Sequence, residues 1–196
     1  MNTNKIDCHV INSNEPDEWK RQCLDSIETA PIILHEVSGI PGKVGAARHA
    51  GFSKGNKPFV SFVDFDDFYN SFAFNALQNC LENNPSVVLA YTNEVYVNEQ
   101  GHVMCERNLS YSRKKHISYG DHVHGLMLIR RSALSTVLDS IVDVENYSEW
   151  FLTLQLSKLG EIRHLPIIGR FWRQHSRQSH LKADPVTVKK IKNLFT

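Results

Sequence analysis

The chain has 196 residues, 22 Lys/Arg against 21 Asp/Glu, and 41% apolar residues, the make-up of one globular domain spanning residues 1–196. No apolar run nears the ~20 residues of a membrane span, and residues 1–5 lack a signal-peptide core, so a cytoplasmic protein without a transmembrane segment is expected. Cys8, Cys23, Cys80 and Cys105 are scattered, which excludes a close-paired zinc or redox motif and suits a reducing compartment.

In chain order, residues 5–11 predict a first strand, ended by the turn-forming Asn12-Ser13-Asn14. Pro16 then opens a helix capped by Asn14 or Ser13, with Trp19, Cys23 and Ile27 at four-residue spacing as its buried stripe. Pro31-Ile32-Ile33-Leu34 predicts a second strand. The loop Ser38-Gly39-Ile40-Pro41-Gly42 follows and leads into a helix starting near Val44. Residues 59–63 predict a third strand, and Phe74, Leu77 and Leu81 mark one face of a helix that runs out at Asn83-Asn84-Pro85. Residues 87–91 and 95–97 predict two further strands, turning at Glu99-Gln100-Gly101. Residues 106–122 are polar and basic with little periodicity and read as a long loop. Residues 126–129 predict a strand, Leu134, Leu138 and Ile141 line a helix, and another helix is expected over residues 147–159, stopped by Gly160. Residues 162–168 suggest a short strand, followed by a basic segment over residues 170–180. Asp184-Pro185 signals the cap and first turn of a terminal helix carrying Val188, Ile191 and Phe195. Strands alternating with helices predict an α/β sandwich around a mostly parallel sheet.

The densest chemistry lies in Phe59-Val60-Ser61-Phe62-Val63-Asp64-Phe65-Asp66-Asp67, a buried-strand pattern that stops in three carboxylates. Strand alternation places Asp64 and Asp66 on one side of the backbone and Asp67 on the other. Like charges this close are tolerated best around a cation, so the run reads as a divalent-metal site at the carboxyl end of a strand or as a solvated acidic turn. Charge is also uneven along the chain. Residues 1–100 carry 7 Lys/Arg against 13 Asp/Glu, whereas residues 101–196 carry 15 against 8. An acidic half that could hold a cation is joined to a basic half that could hold an anion.

Three segments, in order, resemble the inverting family 2 glycosyltransferases of GT-A fold. The first is Val10-Ile11-Asn12-Ser13-Asn14-Glu15-Pro16 with Trp19 and Cys23-Leu24-Asp25-Ser26-Ile27. The second is Gly45-Ala46-Ala47-Arg48-His49-Ala50-Gly51 leading to Phe62-Val63-Asp64-Phe65-Asp66-Asp67. The third is Glu145-Asn146-Tyr147-Ser148-Glu149-Trp150 with Arg173-Gln174-His175-Ser176 downstream. The resemblance implies a Rossmann-like α/β/α sandwich with a mostly parallel mixed sheet. It implies transfer of a hexosyl or pentosyl group from a nucleotide-diphosphate sugar, a UDP-sugar foremost, to an acceptor hydroxyl. Asp64 and Asp66 match the family's Asp-x-Asp motif, with Asp67 beside it, and Asp66 would contact a Mn2+ or Mg2+ bridging the diphosphate. Arg48 would sit by the nucleotide, Asn12, Asn14 and Glu15 where base and ribose dock, and His175 as a further metal ligand or diphosphate contact.

Two departures stand out. Asn146 occupies the place of the family's general base, and an amide cannot accept that proton. Glu145 is the nearest replacement and Glu149, one helical turn along, the next; on a helix the two would share a face. His35-Glu36-Val37-Ser38 stands where the family has a pair of aspartates, leaving Glu36 as the substitute. His122 and His124, two apart, would point the same way from a strand and line the acceptor side with Trp150 and Arg173. The acceptor is then a saccharide, a lipid-linked sugar or, if the basic runs cluster in space, hydroxymethylated bases of phage-type DNA. The reading from another class is a catalytically impaired GT-A binding module, which Asn146 favours.

Overall fold

Strand β1 (Ile6–Asn12) alternates Ile6, Cys8 and Val10 with Asp7 and His9, and all five side chains are buried. This is the burial of a strand inside a parallel sheet with helices on both faces. The computed structural model describes residues 4–176, 178 and 184–196. After β1 come α1 (Asp17–Ile27), β2 (Ile32–Ser38), α2 (Val44–Phe52), β3 (Phe59–Asp64), the two-residue β4 (Phe68–Tyr69) and α3 (Ser71–Asn83). The second half holds β5 (Val87–Val97), β6 (Val103–Arg107), α4 (Arg113–Ser118), β7 (Met127–Arg130), α5 (Arg131–Val137), a 3-10 turn (Leu138–Ile141), α6 (Ser148–Leu156), β8 (Glu161–Arg173) and α7 (Pro185–Asn193).

The sheet has the order β2-β1-β3-β7-β5-β8-β4, with β6 added to β5. β1 pairs in parallel with β2 and β3, and β5 in parallel with β8; these three ladders hold most of the paired residues. β7 enters antiparallel between β3 and β5. One core lies under α1 and α3, around Cys23, Ile27, Phe74 and Leu77. The other lies under α2, α5, α6 and α7, around Phe52, Leu134, Phe151 and Ile191. The expected α/β/α sandwich with a mostly parallel mixed sheet is the architecture found. Among the described residues, no helix is long and apolar enough to cross a membrane.

Several elements differ from expectation. Residues 87–91 and 95–97 belong to one strand, β5, whose register shifts around Thr92–Glu94 let it bend without breaking. Residues 106–122 contain the end of β6 and all of α4, which Ser112 caps by accepting from Lys115 N. β8 runs on to Arg173, because the arginines that read as a basic surface are drawn inward by buried carboxylates; Arg177 and His180 of that segment lie outside the described residues. Neither Asn14 nor Ser13 caps α1. Pro16 occupies that position, and the Glu15 carboxylate turns back to Ser13 N and its hydroxyl.

Candidate functional site

β3 delivers Asp64 to the carboxyl edge of the sheet, where open α/β sheets hold ligands. Asp67 N donates to Asp64 O at 3.1 Å and closes a turn that returns the chain as β4 against β8. This turn, not strand alternation, sorts the carboxylates. Asp64 and Asp66 line a cleft of about 890 Å³, whereas Asp67 is turned inside and fully buried, which removes it from direct contact with a nucleotide. Oxygens of the three approach within 4.8 Å of one another.

Two buried arginines answer this charge. Arg170 donates to Asp67 Oδ2 from Nε at 2.7 Å and from Nη2 at 2.5 Å, and to Asp64 Oδ2 at 3.2 Å. The other Asp67 oxygen accepts from Arg173 N at 2.8 Å. Arg48 donates from Nη2 to Asp64 Oδ1 and from Nε to Glu149 Oε1 at 2.6 Å, and its guanidinium lies 4.2 Å from the centre of the Phe62 ring. Burial opposes the Asp64 carboxylate, but Arg48 and Arg170 outweigh it and hold its pKa below the usual range. Burial also opposes the Arg170 cation, but the surrounding carboxylates, Asp67 foremost, lift its pKa well above the ordinary guanidinium value. Both groups are therefore charged at neutral pH. Helix α2 comes close enough to place Arg48 because Gly45 faces the chain ahead of Glu145: a Cβ there would stand 2.1 Å from Ile141 O.

Asp66 is different. No guanidinium among the described residues hydrogen-bonds to its carboxylate, and its Oδ2 lies 3.0 Å from His175 Nε2. That separation is close to the edge of an octahedron with ~2.1 Å bonds, so the Asp66 oxygen and the His175 nitrogen suit Mn2+ or Mg2+, and Asp64 offers a further carboxylate oxygen within 4.8 Å of Asp66. The residues present fit such an ion.

On the cleft floor, His124 Nδ1 lies 2.6 Å from Glu94 Oε2. Glu94 is fully buried; His124, Arg170 and Arg107 outweigh the burial that opposes its charge, so its pKa is lowered. An ionised carboxylate only accepts, so His124 donates from Nδ1 and turns the Nε2 lone pair to Arg170 Nη1 at 3.3 Å. Both ring nitrogens are thus engaged, and His124 has no lone pair free for a substrate proton. Tyr96 packs edge-on against Trp172, with ring centres 4.9 Å apart, and Trp172 against His124 at 4.7 Å, which completes this wall.

At the opposite rim Glu145 is exposed and Asn146 half-buried. Neither stands on a helix, because Tyr147 adopts φ 63° and α6 begins only at Ser148. Glu145 and Glu149 therefore do not share a helix face. Glu149 is spent on Arg48, while Glu145 points into the cleft with no partner among the described residues.

Asn14, Glu15, Arg48, Asp64, Asp66, His124, Glu145, Asn146, Glu149, Trp150 and His175 thus meet in one cleft. Other expected site residues do not. Asn12 donates to Glu36 and accepts from Lys20 Nζ at 3.1 Å, so both cap the paired ends of β1 and β2 outside the cleft. His122 is off any strand and buried; its Nε2 accepts from Ser112 N at 3.0 Å, so it does not share the orientation of His124. Arg173 is 1% exposed and ties Asp66 O to Glu99 O at 2.9 and 2.6 Å, which takes it from the acceptor side into the core. Trp150 shows the cleft only an edge, and its Nε1 donates to His116 O at 2.7 Å. Sequence reasoning missed Glu94, Tyr96, Arg107, Arg170 and Trp172; the period-two spacing of Arg170 and Trp172 was the available signal.

The chain matches no protein-family model and no curated protein sequence. Among solved structures it is similar to S. aureus TarS residues 1–349 in complex with UDP-GlcNAc: TM-score 0.72, 14% identity, 97% of this chain and 65% of that one. The same TarS segment in complex with UDP gives TM-score 0.68 at 13% identity, over 97% of this chain and 64% of that one. The fold is that of a GT-A glycosyltransferase domain. Full TarS matches with TM-score 0.64 at 14% identity, over 97% of this chain but 39% of its own. The GT-A domain here thus spans less than two thirds of each TarS chain it resembles.

Proposed function

We propose that this chain is a metal-dependent, inverting glycosyltransferase, similar to family 2, that moves a sugar from a nucleoside-diphosphate donor to an acceptor hydroxyl. The observation that carries the reading is the Asp66–His175 pair, 3.0 Å apart beside an Asp64 held by two arginines, at the carboxyl edge of β3 and inside one cleft. The complexes of S. aureus TarS with UDP-GlcNAc and UDP support a UDP-sugar as donor. Asp66, Asp64 and His175 would hold Mn2+ or Mg2+, which when bound offsets the charge that builds on the departing diphosphate. Arg48, fixed by Asp64 and Glu149, keeps the Asp64 carboxylate turned to the cleft. Asn14 and Glu15, on the loop after β1, stand where the nucleoside would dock.

The acceptor oxygen attacks the anomeric carbon on the side opposite the diphosphate as the bond to the diphosphate oxygen breaks. Its proton passes to Glu145. Asn146 cannot take it, Glu149 already accepts from Arg48, Asp121 is paired with Arg107 at 3.0 Å, Glu15 is turned back onto Ser13 and His124 is bonded at both nitrogens. Beyond the Asp64–Asp66 pair, Glu145 is therefore the cleft carboxylate without a partner among the described residues. Asn146 favours one other reading, a binding module that holds the donor without transfer. Donor turnover with Mn2+, for wild type, Asp66→Ala and Glu145→Gln, separates the two. Turnover that both substitutions abolish supports the enzyme, and turnover that neither affects refutes these roles.

A further inference from the structure

Part of the second half's basic residues lies on elements around α6, while Arg170 and Arg173 are buried. α4 presents Arg113, Lys114 and Lys115, all exposed, and α7 presents Lys189 and Lys192; neither helix contains an acidic residue. Both pack against α6. Arg113 Nη1 donates to Ser157 Oγ at 3.1 Å, His116 meets Thr153 Oγ1 at 2.9 Å, and Phe195, just past α7, lies 5.9 Å from the Phe151 ring. Lys158 joins the row with its Nζ 4.1 Å from the Phe195 ring centre. The one acid of α6, Glu149, is turned inward onto Arg48.

This belt reaches the cleft. A side pocket of about 430 Å³ is lined by Tyr147, Pro185, Val188, Lys189, Lys192 and Asn193, and Tyr147 and Val188 line the main cleft as well. Tyr147, next to Glu145 and Asn146, is the only non-glycine residue with positive φ among the described residues. Its ring packs edge-on against Trp150, with centres 5.7 Å apart, which holds it at the junction of pocket and cleft. Tyr119, directly after α4 and 61% exposed, is a second ring at the cleft rim.

We propose that this face binds a single-stranded nucleic acid and that the strand carries the acceptor hydroxyl past Tyr147 to Glu145; the inference rests on the transferase reading above. The lysines and arginine of α4 and α7, with Lys158 just past α6, contact phosphates, and Tyr119 and Tyr147 stack bases, the combination by which proteins hold unpaired strands without reading their sequence. An unpaired strand fits better than a duplex because the reacting unit has to leave its neighbours to enter the cleft.

The test is fluorescence anisotropy with a labelled single strand of about 12 nucleotides, between about 50 and 200 mM salt. Wild type should bind. Lys189→Ala with Lys192→Ala, and separately Lys114→Ala with Lys115→Ala, should each weaken binding about tenfold and lower the slope of log Kd against log salt by about 1.4. Arg21→Ala with Lys54→Ala removes the same charge from exposed sites off the belt and should leave Kd unchanged. Absence of saturable binding, or equal losses in that control, overturns the proposal. So does tighter binding to poly(glycerol phosphate) of equal charge or to phosphatidylserine vesicles. The melting shift given by UDP-sugar with Mn2+ is measured on the same samples. A shift without strand binding sinks this inference alone; strand binding without a shift sinks the transferase reading and, with it, the acceptor role.

Discussion

The two ends of the cleft are built in opposite ways. At the Asp64 end, groups from α2, β3, β5 and β8 interlock: Arg48 and Arg170 bind Asp64, Arg170 also holds Asp67, and Glu94 holds His124, mostly out of water. At the Glu145 end, Glu145 and Asn146 sit on a loop ahead of a left-handed tyrosine, exposed or half-exposed, with few bonds to either side chain. Buried charge that must stay paired makes the first region rigid, since an unpaired ion there costs several kcal/mol. The second region is free to vary without unfolding the domain. That contrast separates residues whose loss breaks the fold from residues whose loss breaks only the reaction.

The largest expected effect is on the rigid side. Burial pushes the Asp67 pKa well above the usual carboxylate range, yet two Arg170 donors at 2.5 and 2.7 Å and Arg173 N close on it. Asp67→Asn therefore breaks the main pairing of Arg170 in the core and should cost about 3–5 kcal/mol in denaturant unfolding. A loss under about 1 kcal/mol would mean that the pair does not hold the floor of the site. On the open side, Glu145→Gln should leave stability within about 0.5 kcal/mol and lower transfer by about a hundredfold or more, read as kcat with donor affinity intact. If stability and kcat fall together, the two ends are not distinct.

A smaller effect concerns pH and stability away from the cleft. Burial pushes the His116 pKa down to about 3, whereas an unfolded His titrates near ~6.5. Between those values the unfolded chain binds more protons than the folded one, so stability falls as pH drops. His116 adds a slope that grows toward about 1.4 kcal/mol per pH unit as pH falls below ~6.5, about 2 kcal/mol in all from pH 7 to 5, and buried His9, also lowered by burial, adds to it in the same direction. From pH 7 to 5, His116→Gln should lose about 2 kcal/mol less stability than wild type, and identical losses would contradict the buried, neutral His116.

The same contrast explains what could be read from the sequence. The sandwich was legible because apolar strands and amphipathic helices alternate, as in Ile6–Val10 and in Phe74, Leu77 and Leu81. Asp64, Asp66 and Arg48 were legible because they close recognisable runs. The rigid floor was not. A buried arginine and a surface arginine look alike in one sequence, so Arg170 and Arg173 read as a basic face, and Glu94 was lost inside an apolar strand. His122 and His124 diverge because the chain there is a turn, where a spacing of two carries no shared direction. Tyr147 in the left-handed region cannot be foreseen for a non-glycine residue, and it is what separates Glu145 from Glu149.

The central claim is that the Asp66–His175 pair holds a cation against a nucleotide diphosphate. The most direct measurement is the melting temperature of wild type and Asp66→Ala with UDP-sugars, each with and without Mn2+. At roughly a hundredfold excess over Kd, wild type should gain about 5–10 °C with donor and metal together, and Asp66→Ala should lose the metal-dependent part while melting normally on its own. No shift with any donor, or the same metal-dependent shift in both proteins, would contradict it.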